Sequence, residues 1–160
     1  MTDINLQCTI HKYSFEELDK NDQDLIRKAM KATDNSYAPY SGFSVGAAVL
    51  MDNGRVYVGA NQENAAYPSG LCAERTAIFA AHAQHPNDKI VSLAIAARNR
   101  DGFIPKPAAP CGACRQVILE SEMRYSQPIK ILLYGTEAVY VIDTVRDILP
   151  LQFTADNLAL

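Results

Sequence analysis

Apolar positions along the chain recur with two periods. Leu18, Leu25, Ile26, Ala29 and Met30 return near helical spacing inside a polar stretch, which predicts an amphipathic helix ending around Asn35 whose apolar face covers a sheet. Ser44 to Met51 (SVGAAVLM) is a near-continuous apolar run, and Arg55 to Ala60 reads as its returning strand. Between them the Asn53-Gly54 step takes positive φ cheaply, so a hairpin is expected. After a break at Pro68, Ser69 and Gly70, the Ala-rich CAERTAIFAAHA predicts a helix from about Cys72 to His82. Ile90 to Ala97 (IVSLAIAA) reads as a buried strand, and the Pro-rich stretch from Ile104 to Pro110 as a loop that cannot continue it. A helical pattern returns from Gly112 to about Arg124 with Val117, Ile118 and Met123 inward. Ile129 to Tyr134 and Val139 to Ile142 are two more strands, and a short helix from Thr144 to Leu149 closes the chain.

The resulting order, αββαβαββα, interleaves helices with buried strands and implies an α/β fold with a sheet covered on both faces. At 160 residues and 48% hydrophobic content the chain can bury one sizeable core, so a single domain over 1–160 is expected, without repeats or linkers. No stretch approaches the roughly 18 uncharged apolar residues of a membrane span, and Met1 to Lys12 lacks the order of a signal peptide. A cytoplasmic location with no membrane partner follows as the expectation. Fifteen basic against eighteen acidic side chains give a formal charge of -3, which offers no field to attract a nucleic acid and favours a small, nearly neutral substrate.

Of four cysteines, three form a Cys plus Cys-x-x-Cys pattern: Cys72, Cys111 and Cys114. Cys8 stands apart and is expected to be a buried, inert thiol. In a chain without export signals such a pattern points to metal binding or catalysis rather than to disulfides. Cys72 and Cys111 each open a predicted helix, where free N–H groups and the helix dipole favour the thiolate that Zn²⁺ requires. Three ligands rather than four are the complement of a catalytic zinc, which keeps one position for water. Glu74, two residues beyond Cys72, is placed to exchange protons there without binding the metal. Three thiolates leave the cluster at about -1 by formal count, so Arg75 and Arg115, each beside a site residue, are expected to hydrogen-bond the sulfurs and withdraw charge. Two other readings fit the cysteine spacing: a redox pair at Cys111 and Cys114, or a structural zinc site closed by Cys8 or His11.

The residues around the cysteines carry a resemblance. YAPYSGFSVGAAV (Tyr37 to Val49), NQENAAYPSGLCAERTA (Asn61 to Ala77) and PCGACRQ (Pro110 to Gln116) together make the chain similar to the homotetrameric cytidine deaminases, from about Leu25 to Phe153. The resemblance implies a three-layer α/β/α sandwich around a mixed five-stranded sheet, with Zn²⁺ as cofactor. It also implies roles. Phe43 matches a phenylalanine that packs on the pyrimidine, and Asn61 and Glu63 match the pair that binds the ribose 3'-hydroxyl. The Ala73 N–H and the Ala109 carbonyl would contact the base. Phe153 and Tyr67 match aromatics at a site shared between subunits, so that a homotetramer completes each pocket. Taken singly, Phe43 and Phe153 also fit core aromatics, and Asn61 also fits a turn residue. Gln62, usually apolar in the family, and the longer approach FIPKPAAPC are departures.

The implied reaction is hydrolytic deamination of cytidine and deoxycytidine to uridine and deoxyuridine, in pyrimidine salvage, with Glu74 as proton shuttle. Three alternatives compete with it. A deaminase of a cytosine nucleoside antibiotic would typically lack the Asn61-to-Asn64 motif. A polynucleotide editor would usually carry His in place of Cys72. A zinc-stabilised nucleoside-binding module would need no carboxylate at Glu74.

Overall fold

The protein is described by a computed structural model over residues 1–158; the last two residues of the expected 1–160 domain lie outside the described residues. Ten regular elements run in the order β1 (His11–Tyr13), α1 (Lys20–Ala32), β2 (Ser44–Met51), β3 (Val56–Ala60), α2 (Ala73–Gln84), β4 (Ile90–Asn99), β5 (Gly102–Phe103), α3 (Gly112–Tyr125), β6 (Lys130–Tyr134) and β7 (Val139–Ile142). The strands form one mixed sheet in the order β1-β7-β6-β4-β2-β3, with β5 pairing the far end of β4. Only β4 and β6 pair in parallel, Leu93 opposite Ile131 and Ile95 opposite Leu133. The other pairings are antiparallel.

Alternation along the central strands divides two cores. Ala47 and Val49 of β2, Leu93 and Ile95 of β4 and Ile131 and Leu133 of β6 point to one face, where Ala77, Ile78 and Ala81 of α2 and Ile118 and Leu119 of α3 cover them. Ala48, Ala94, Ala96 and Leu132 point to the other, under Leu25, Ile26 and Ala29 of α1. The expected three-layer α/β/α architecture is therefore present. Glycines set how close the layers lie: a Cβ on Gly46 would sit 2.1 Å from the Ala29 carbonyl oxygen, and one on Gly59 would sit 2.5 Å from the Ala73 carbonyl oxygen. β2 thus touches the α1 backbone and β3 touches the start of α2, the helix that carries Cys72.

Helix α1 starts at Asp19, whose carboxylate accepts from the Asp22 amide at 2.9 Å, and the turn Thr33–Asn35 extends it to the expected end. The β2–β3 hairpin turns at Gly54 with φ of 81°. Three expectations need correction. The sheet has seven strands rather than five, because two short pieces join its margins: β1, which pairs β7 and is exposed on every residue, and the two-residue β5. The closing helix is a single 3-10 turn, Val145–Ile148, capped by the Thr144 hydroxyl. Cys8 is exposed rather than buried.

Candidate active site

Backbone pairing brings the distant motifs to one place. Beyond β3, Gln62 exchanges two backbone hydrogen bonds with Leu71, at 2.8 and 2.9 Å, while the Tyr37 amide donates to the Asn61 carbonyl and the Glu63 amide to the Tyr37 carbonyl. Asn61 and Glu63 are thereby held beside Leu71, the residue before Cys72. The Gln62 side chain donates to the Asn35 carbonyl at 3.1 Å, so the polar departure from the family pattern is an exposed residue tied to the backbone at the edge of the cavity beside Cys72.

Cys72 is the N-cap of α2 and Cys111 the N-cap of α3, both with extended backbone (φ and ψ of -72° and 153°, and -66° and 165°). Cys114 lies within the first turn of α3 and is fully buried. The Cys72 and Cys111 sulfurs stand 3.8 Å apart and those of Cys111 and Cys114 3.5 Å apart, and all three lie within 4.8 Å of one another. Bonds of about 2.3 Å to one tetrahedral Zn²⁺ require sulfur separations of about 3.8 Å, so the trio fits that ion.

The electrostatics favour thiolate at the first ligand. The Cys72 thiol is drawn down to about 5, chiefly by a hydrogen bond from Cys114 and next by Arg75, whose Nη2 donates to Cys72 Sγ at 3.6 Å. As the other partner in that hydrogen bond, and because it is buried, the Cys114 thiol is pushed up. Glu74 is 5% exposed. Burial raises its carboxyl above the usual range and the Cys72 charge adds to this, against the pull of its own backbone N–H. A buried carboxyl whose proton affinity is raised in this way, beside a metal-binding trio, suits proton exchange.

Arg115 is used differently from expectation. Its Nε donates to the Pro110 carbonyl at 2.8 Å and its Nη1 to the Ile148 carbonyl at 2.6 Å. The guanidinium therefore ties the backbone just before Cys111 to the Val145–Ile148 turn, and of the two arginines it is Arg75 that meets a sulfur. The Pro-rich approach to Cys111 is anchored as well: Thr136 and Glu137 amides donate to the Ile104 and Pro105 carbonyls, and the close packing of Gly135 on Pro105 leaves no room for a Cβ there.

A cavity of about 490 Å³ opens beside Cys72, walled by Tyr40, Ser41, Asn61, Glu63, Tyr67 and Arg75 among others. Glu63 accepts from the Tyr40 amide at 2.8 Å, the Ser41 amide at 3.2 Å and the Ser41 hydroxyl at 2.5 Å. These donors hold its carboxyl below the usual range, the Ser41 hydroxyl most of all. The Asn61 carbonyl oxygen accepts from Ser36 Oγ at 2.5 Å and the Val45 amide at 2.8 Å, while its amide nitrogen donates to the Phe43 carbonyl at 2.9 Å. That pattern fixes the amide orientation and makes Asn61 a brace of the 36–45 segment, with one N–H left over. Phe43 and Ala73 do not wall this cavity; Phe43 is half-buried and Ala73 fully buried. Tyr67 is 79% exposed and stands edge-on to Tyr40, and Phe153 is 59% exposed, tied near α3 by the Gln116 side chain. Sequence reasoning missed Tyr40 and Ser41, whose only signal was their place in the YAPYSGFS loop, and Ser36, which directly precedes it.

Three converging thiols and an adjoining buried carboxylate, at one end of an α/β/α sandwich, define a zinc enzyme of the hydrolytic deaminase class. The family model described as the cytidine and deoxycytidylate deaminase zinc-binding region matches residues 19–127. The chain belongs to this family. It is 41% identical over 136 residues to a cytidine deaminase of Halalkalibacterium halodurans (85% of this chain, 96% of that one). Over 141 residues it is 37% identical to a cytidine deaminase of Mycobacterium tuberculosis (86% and 93%). Among solved structures it resembles a cytidine deaminase from Burkholderia pseudomallei at 38% identity with a TM-score of 0.70, covering 81% of this chain and 97% of that one. It also resembles the M. tuberculosis enzyme at 33% identity with a TM-score of 0.65, covering 86% and 99%. No helix among the described residues is long and apolar enough to cross a membrane.

Proposed function

We propose that the chain hydrolyses cytidine and deoxycytidine to uridine and deoxyuridine, releasing ammonia. The observation that carries this reading is the buried Glu74 carboxyl beside a trio of thiols spaced for one Zn²⁺, in a chain similar to named cytidine deaminases along most of its length. Cys72, Cys111 and Cys114 hold the ion, which when bound supplies the Lewis acidity that makes water attackable near neutral pH.

Glu74 takes a proton from the attacking water and passes it to N3 of the pyrimidine as the oxygen joins C4. It then accepts the second water proton and delivers it to the exocyclic amine, so the C4–N bond breaks with ammonia as leaving group and the carboxylate is restored. Burial raises the proton affinity of this carboxyl, which favours its taking up a proton in each half of the cycle. Arg75 draws charge from Cys72. Phe43 stacks on the pyrimidine, the Ala73 N–H and Ala109 carbonyl hold its edge, and Glu63 accepts from the sugar 3'-hydroxyl with Asn61 beside it. Tyr67 and a neighbouring copy's Phe153 complete the pocket in a homotetramer, a reading supported by the exposure of both rings. The single domain works in the cytoplasm, where thiols stay reduced, as a step of pyrimidine salvage.

Replacing Glu74 with Gln tests the assignment. The variant is expected to retain one zinc per chain and to lose about 10²–10⁴-fold in cytidine turnover, the range of a general acid–base. Near-normal ammonia release by Glu74→Gln would overturn it.

A further inference from the structure

The loop between α1 and β2 ties the expected base-stacking residue to the expected sugar-binding carboxylate through one hydroxyl. Ser41 Oγ accepts from the Phe43 amide at 3.0 Å and donates to Glu63 Oε1 at 2.5 Å. With a lone pair taken by Phe43, the hydroxyl proton is directed at the carboxylate. The neighbouring Tyr40 and Ser41 amides both fall on Oε2, so the three donors occupy three of the four acceptor positions of Glu63. One remains, on Oε1, the oxygen that Ser41 already holds. Glu63 and Ser41 both wall the cavity beside Cys72. Gly42, at φ of 66°, makes the tight bend that lets the amide of Phe43 fold back onto Ser41.

We propose that Ser41 is a positioning residue for sugar recognition, its hydroxyl aiming the free acceptor of Glu63 into the cavity and locking it in register with Phe43. This rests on the reading of Glu63 as the ligand of the sugar 3'-hydroxyl. Ser41 itself need not touch the substrate. Its loss leaves the Glu63 carboxylate with backbone donors on one oxygen only, free to rotate, and the loss is felt only by substrates that carry the hydroxyl Glu63 receives. The lowered carboxyl of Glu63, for which the Ser41 hydroxyl is the largest cause, agrees with a charge-assisted hydrogen bond in that place.

The test is the ratio of kcat/KM for cytidine to that for 3'-deoxycytidine, measured on the zinc-loaded full chain and on Ser41→Ala, Ser41→Thr and Glu63→Gln. The proposal expects Glu63→Gln to collapse the ratio. It expects Ser41→Ala to lower it by about 10-fold, mainly through KM for cytidine, and Ser41→Thr, which keeps the hydroxyl, to restore most of it. Should Ser41→Ala not fold, Ser41→Cys, close in size but a weak donor, carries the same comparison. A collapsed ratio in Glu63→Gln with an unchanged ratio in Ser41→Ala overturns the role of Ser41 and leaves Glu63 as the sugar contact. Equal losses on both substrates in Ser41→Ala, accompanied by a lower Tm, make the residue merely structural and also overturn it. An unchanged ratio in Glu63→Gln overturns the sugar-contact reading itself.

Discussion

The Arg75 guanidinium lies 3.6 Å from the Cys72 sulfur, one turn further along the helix that Cys72 caps. Three thiolates around one divalent ion carry more negative charge than the ion offsets, and a hydrogen bond to one sulfur relieves part of the excess. Arg75→Gln is therefore expected to weaken zinc retention or turnover by about 10- to 100-fold, the usual range for a residue that orients a metal ligand. Competition with a colorimetric chelator reads the first quantity and ammonia release the second. A variant unchanged in both would remove Arg75 from the centre.

Gly46 is a strand residue chosen by its neighbour rather than by strand propensity. A methyl there must displace the α1 backbone, since the Ala29 carbonyl oxygen and Thr33 amide lie within 2.1 and 2.7 Å of its place. Gly46→Ala should destabilise the fold by about 1–3 kcal/mol or more, as overpacking does. Gly54→Ala, at an open turn, should cost less, through its φ of 81° alone. Urea unfolding of the two variants ranks them, and equal midpoints would contradict the close packing of α1 on β2.

Most of this architecture was legible because the long elements are strongly patterned. SVGAAVLM and IVSLAIAA are buried on both faces, and the first two glycines of the hairpin region, Gly46 and Gly54, mark a close approach and a turn. β1 escaped because His11, Lys12 and Tyr13 have no apolar alternation and are placed by pairing with Val139 to Val141, a partner far along the chain. The convergence of the three cysteines, with Glu74 buried beside them, was legible from spacing, since helix N-termini place Cys72 and Cys111 without tertiary information. Arg115 was misjudged for the opposite reason: adjacency to Cys114 says nothing of the Ile148 carbonyl that captures its guanidinium. The Ser41 link to Glu63 spans 22 positions and depends on a loop bend that no local pattern announces.

Substrate affinity should respond to acid through Glu63. Its carboxyl is held below the usual range by Ser41 and two backbone amides, so the ionised form persists, and with it the contacts of the loop, as pH falls through the ordinary carboxylate range. The same group contributes stability that is present above the unfolded value and lost as pH falls through its lowered folded one. Arg75 and the Cys72 thiolate are the charged groups that share its cavity, alongside Tyr40 and Tyr67. KM for cytidine is therefore expected to hold nearly constant down to the ordinary glutamate range, about 4.3, and to rise below it. In Ser41→Ala the rise should begin at higher pH. A KM profile identical in the two proteins would show that Ser41 does not tune this carboxylate.

Acid should also act on the far side of α2, where His82 stacks on Tyr125 with centroids 5.2 Å apart and meets Ser121 Oγ at 2.9 Å. Burial, helped by Arg124, holds this imidazole below its ordinary value. Its contribution to stability is present above the unfolded imidazole value, near 6.5, and is lost as pH falls towards the folded one. His82→Gln, which cannot charge, should lose less Tm between neutral pH and mildly acid pH than the parent protein. Parallel Tm profiles would show that the ring is not held neutral by the fold.

The central claim is that one Zn²⁺ in the Cys72, Cys111 and Cys114 trio is what the Glu74 carboxyl works beside. Cytidine deamination is best measured against zinc content, on protein stripped with a strong chelator and reloaded in steps. The account predicts a rate that rises in proportion to metal, reaches its plateau at one ion per chain and stays absent in Glu74→Gln at full occupancy. A rate independent of metal content, or full zinc occupancy with no ammonia released from cytidine or deoxycytidine, would contradict it.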